Sequence, residues 1–140
     1  MQHYERIVIG VGGIGSAVLY HLARRGVRTL GIEQFHVAHD RGSSHGQTRI
    51  IRQAYFEHPQ YVPLLLRADA LWCELELEAG ESLFRRVGLI EVGPPDGLVV
   101  KGVALSAQTH GLAIEKLSAA DVRCRFPAFQ VPSGMEVIFE

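Results

Sequence analysis

The chain has 140 residues, 47% hydrophobic and 21% charged, with a formal net charge of -1. That is enough chain for one core, and ordinary globular usage excludes a disordered or low-complexity tail. The near-neutral balance argues against a general grip on nucleic acid, and no apolar run is long enough to span a bilayer.

Arg6-Ile7-Val8-Ile9 is short, β-branched and apolar on both faces, as a buried parallel strand is. Gly10-Val11-Gly12-Gly13-Ile14-Gly15 follows at once. From Ser16 to Arg25, apolar residues at Ala17, Val18, Leu19, Leu22 and Ala23 have helical spacing, with Gly26 as the stop. Thr29 to Ile32 is a second apolar strand, ended by Glu33. Residues 6–33 therefore read as strand, glycine turn, helix, strand.

Phe35 to Thr48 has loop composition. A long helix is expected from Tyr61 to Gly80, with Leu64, Ala68, Leu71, Trp72, Leu75 and Ala79 as its apolar stripe and with Tyr61 and Trp72 in the core. A strand over Val87–Val92, a helix over 98–109 and a strand near Leu112–Glu115 come next. Ser118 to Phe126 is a short helix with Ser118 as N-cap and Asp121 at its third position. Glu136 to Phe139 is strand-like. Cys73 and Cys124 are too few for a disulfide framework and read as reduced structural thiols. With no secretory signal in view, the chain reads as cytoplasmic.

The glycine turn carries the first chemical signal. Gly10 permits the sharp exit from the strand, Gly12 lets a pyrophosphate approach the backbone, and Gly15 allows the helix to pack close. Phosphates would then meet unpaired N–H groups at the positive end of the helix dipole. Glu33, at the end of the second strand, can accept hydrogen bonds from both ribose hydroxyls and would repel a 2′-phosphate. This pattern serves NAD and FAD alike. His36 and His39 have a metal-like spacing without an evident third ligand.

The segment Arg41-Gly42-Ser43-Ser44-His45-Gly46-Gln47-Thr48-Arg49-Ile50-Ile51-Arg52-Gln53-Ala54-Tyr55 closely resembles the signature of the monomeric sarcosine oxidase family, FAD-dependent amine oxidases within the D-amino acid oxidase superfamily. Tyr61-Val62-Pro63-Leu64, Gly88-Leu89-Ile90, Arg125-Phe126-Pro127 and Ile138-Phe139-Glu140 resemble it too. The resemblance implies an α/β fold: a Rossmann-like βαβ unit and the beginning of an α+β substrate domain, incomplete. Residues 1–80 would be the N-terminal part of the FAD-binding domain, with the flavin and substrate loop at 35–55 and the long helix at 60–80. Residues 81–140 would begin the substrate domain.

The resemblance further implies that Gly10, Gly12, Gly13, Ile14, Gly15 and Glu33 hold the adenosine end of FAD. Ser43, Thr48, Arg49 and Ile50 would follow the pyrophosphate and flavin, and His45 would lie near the flavin. Arg52 would pair with a substrate carboxylate, a task suited to a planar guanidinium fork. Arg49 would have a catalytic part by placing positive charge beside the flavin. The implied reaction oxidises a secondary amine of a small amino acid, such as sarcosine or pipecolate, with oxygen as acceptor. The imine is then hydrolysed and hydrogen peroxide released.

The family's flavin-linking cysteine and its two functional lysines fall in later sequence. None of those roles passes to Cys73, Cys124, Lys101 or Lys116. Little activity is expected of this stretch alone, and the missing C-terminal part of the enzyme is a candidate partner that the resemblance implies. An NAD-dependent dehydrogenase domain, a non-enzymatic remnant and one piece of a split oxidase are the alternatives.

Overall fold

A computed structural model describes residues 2–140, which form two compact units, one up to residue 50 and one over 51–140. In the first, β1 (Arg6–Ile9) leads into α1 (Gly13–Arg24) and then β2 (Thr29–Ile32). The strands pair in parallel, Arg6 opposite Thr29 and Ile9 opposite Ile32. Both strands lie where the sequence predicts. The helix starts earlier than Ser16, because the end of the glycine turn is itself its first turn.

α1 packs on one face of this ribbon. A Cβ built on Gly31 would lie 2.6 Å from Leu19, and one on Gly15 would lie 3.5 Å from Val8. Strand alternation turns Ile7, Ile9 and Ile32 to the other face, where they are 59%, 85% and 47% exposed. No described residue of this unit is buried.

The second unit holds the core. After a 3-10 turn (Pro59–Tyr61) come α2 (Val62–Ala79), β3 (Ile90–Gly93), α3 (Leu98–His110), β4 (Glu115–Leu117), α4 (Ala119–Arg125) and β5 (Glu136–Phe139). β5 lies between β3 and β4, antiparallel to both. One core cluster joins Ala54, Val100, Val103 and Ile138; another joins Leu117, Val122 and Val137. Ser118 caps α4 in a reciprocal capping box with Asp121, as the sequence predicts.

Three expectations need correcting. The strand expected over Val87–Val92 runs Ile90–Gly93, because Gly88 has a φ of +76° and the Phe139 ring lies against it. The strand expected near Leu112–Glu115 begins at Glu115, because the chain turns through Gly111 at φ +66° and the Leu112 N–H is spent on the Ala107 carbonyl at the end of α3. Tyr61 and Trp72 are not core: they are 50% and 36% exposed, and of α2 only Val62 is buried. Trp72 instead stacks on Phe84, whose segment folds back on α2 through the Leu83 and Phe84 N–H groups bonded to Glu76.

Candidate cofactor and carboxylate sites

The glycine turn brings the end of β1, the start of α1 and the end of β2 together. Gly10 has a φ of +86°, and its N–H bonds the Ile32 carbonyl at 2.8 Å. A Cβ on Gly15 would sit 1.8 Å from the Gly10 carbonyl oxygen, so only glycine allows this approach. No side chain caps α1, and its first-turn N–H groups have no acceptor within the helix. A Cβ on Gly12 would meet nothing within 4 Å, so the backbone there is open to a ligand.

Glu33 ties this turn together. Its Oε2 accepts the Val11 N–H at 2.7 Å, while Oε1 accepts those of Gln34 and Phe35 at 2.8 and 3.2 Å. These bonds, led by the one from Val11, hold its carboxyl below the usual range, assisted by His39 at 3.5 Å. A carboxylate offers about four acceptor positions, so Oε2 keeps capacity for a hydroxyl donor.

The loop at 41–50 rests on the same turn. A Cβ on Gly13 would lie 2.6 Å from Ser44 Oγ. Arg49 donates to the carbonyls of Thr48 and Ser43 at 2.5 and 3.0 Å, with Gly46 folded against its guanidinium. Arg49 is thus a clip on its own loop. His45 Nδ1 is 2.5 Å from the Gly42 carbonyl, a hydrogen-bonded spacer. The structure gathers Gly10, Gly12, Gly13, Ile14, Gly15, Glu33, Ser43, Thr48, Arg49 and Ile50 in the first unit and Arg52 in the second.

Arg52 lies over the rings of Tyr55 and Phe56, at 4.3 and 4.9 Å from their centroids. Its Nη2 is 3.0 Å from Glu57 Oε1, and its Nη1 is 3.7 Å from Glu91 Oε1. Its short segment is held by residues that sequence reasoning missed. Glu140 accepts the N–H groups of Gln53 and Ala54 at 2.9 and 2.6 Å. Buried Ser106 donates to the Tyr55 carbonyl, and Gly102 admits the Phe56 carbonyl to the α3 backbone. The glycine and serine inside α3 were the available signal, since neither favours a helix interior.

Residues 6–137 match the family described as DAO, FAD dependent oxidoreductase. The chain belongs to this family. It is 50% identical over 134 residues to the monomeric sarcosine oxidase of Streptomyces avermitilis, covering 96% of this chain and 35% of that protein. It is 42% identical over 137 residues to the N-methyl-L-tryptophan oxidase of Yersinia pestis, covering 98% and 37%. Its fold matches the open form of NikD, an amino acid oxidase essential for nikkomycin biosynthesis, with a TM-score of 0.83 at 26% identity, over 99% of this chain and 36% of that one. The chain thus spans about a third of the length of these relatives. Membership of a FAD-dependent family sets aside the NAD-dehydrogenase alternative. Among the described residues no helix is long and apolar enough to cross a membrane.

Proposed function

We propose that this chain supplies the cofactor-anchoring and carboxylate-binding section of an FAD-dependent amine oxidase. Its substrate would be a secondary amine of a small amino acid, of the sarcosine or pipecolate type, oxidised in the cytoplasm. The observation that carries the cofactor reading is the uncapped start of α1, open at Gly12 and faced by Glu33. In this reading residues 1–80 belong to the FAD-binding domain and 81–140 open the substrate domain.

Gly10, Gly12, Gly13, Ile14 and Gly15 would offer backbone N–H groups and close approach to the pyrophosphate. Glu33 Oε2 would accept a ribose hydroxyl. Ser43, Thr48 and Ile50 would line the path towards the flavin. Arg49, holding the Ser43 and Thr48 carbonyls, would fix that loop and add positive charge beside the ring. FAD held there would supply the two-electron redox chemistry for oxidising the amine to an imine, with oxygen as the final acceptor and peroxide as its product. Arg52 would hold the substrate carboxylate and so orient the amine.

The open face of β1 and β2 and the two-stranded sheet make the first unit a weak holder of FAD by itself. The expected result for the 140-residue chain mixed with FAD is weak retention and no peroxide from sarcosine or pipecolate. Stoichiometric flavin with turnover would contradict this reading.

A further inference from the structure

Glu91 lies in β3, 7% exposed, and neither carboxylate oxygen has a hydrogen-bond partner among the described residues. Its backbone is fixed by the ladder to β5, opposite Ile138. The nearest cation is Arg52, with Nη1 3.7 Å from Oε1, too far for a hydrogen bond but close enough for strong attraction. A buried carboxylate without hydrogen bonds is costly to keep ionised, so its charge depends on what Arg52 is doing.

We propose that Glu91 is a positioning residue for Arg52: ionised, it holds the guanidinium against an incoming carboxylate, and protonated, it yields the guanidinium to that ligand. This rests on the reading of Arg52 as the carboxylate site.

The surrounding charges favour such a switch. Glu57, on the Arg52 segment, takes the other side of the guanidinium. Glu140, after β5, adds negative charge that acts on Glu91. Tyr55 and Phe56 contribute ring faces. α3 packs on β3 and carries Lys101 and His110, neither of which is among the groups acting on Glu91. Burial first, then the charges of Glu140 and Glu57, opposed by Arg52, together push the Glu91 carboxyl up to about 7. A ligand carboxylate on Arg52 adds another negative charge nearby, so binding and protonation of Glu91 must promote each other.

The test uses the 140-residue chain with acetate and sarcosine as probes, from pH 5.5 to 8.5. In the parent chain, affinity is expected to fall by roughly five- to tenfold as pH rises through Glu91's midpoint. Glu91→Gln should hold the low-pH affinity throughout, and Arg52→Gln should lose binding at every pH. If Glu91→Gln keeps the parent slope while Arg52→Gln loses binding, the Glu91 role is overturned and the Arg52 reading stands. If Arg52→Gln binds as the parent does, or the parent binds neither probe, both are overturned. A carbon-13 titration of the Glu91 carboxyl gives a second readout that does not depend on a variant folding. Its midpoint should move up when acetate is added, and an unmoved midpoint in acetate-bound protein contradicts the proposal.

Discussion

The two compact units are built on different principles. The first has no buried residue among those described and is organised by backbone: parallel pairing, a glycine turn and one carboxylate gathering three N–H groups. The second has both apolar clusters, and Arg52 hangs on a segment clamped into that core at Ala54. Hydrophobic burial is the main stabilising term in folding, so stability should reside in 51–140, while 1–50 carries the geometry proposed for the cofactor.

Ile138→Ala should break the second unit most severely. Ile138 is fully buried between α3 and the strands, so urea unfolding should show a loss of ~2–5 kcal/mol. The next largest effect concerns pH. The Glu91 carboxyl is raised to about 7 in the folded chain, so it favours folding below its ordinary value, and that stability is lost as pH rises towards and through 7. The loss should reach at most ~3 kcal/mol by pH 8, and Glu91→Gln should flatten this slope in urea titrations at pH 5 and 8. Glu33 has the opposite sign: its carboxyl is depressed, so its contribution is present at neutral pH and lost as pH falls below the ordinary carboxylate range.

Ser106→Ala leaves the Tyr55 carbonyl without its donor. It should cost ~1–3 kcal/mol and weaken acetate binding at Arg52 by displacing the segment. The smallest effect belongs to the first unit. Ile9→Thr, at a side chain 85% exposed, should change stability by no more than ~0.5 kcal/mol. A large loss there would mean that the face opposite α1 carries stability after all.

The first unit was almost wholly legible in the sequence, because glycine spacing, β-branched strands and a strand-end acid each have a local cause. The capping box at Ser118 was legible for the same reason. The support of Arg52 was not. Glu91, Ser106 and Glu140 reach it from 39 to 88 positions away, and only strand register and helix packing bring them there. The apolar periodicity of α2 suggested burial for Trp72, but periodicity shows which side chains share a face and not whether anything covers it.

The most direct test of the central claim is a flavin-fluorescence titration of FAD into the parent chain and Gly15→Val, with circular dichroism recorded on both. Gly15 sits where a side chain would strike the Gly10 carbonyl, in the unit whose described residues include no buried one. The account predicts weak, saturable binding by the parent, none by the variant, and an unchanged unfolding transition for residues 51–140. Equal FAD binding by the two proteins would contradict it.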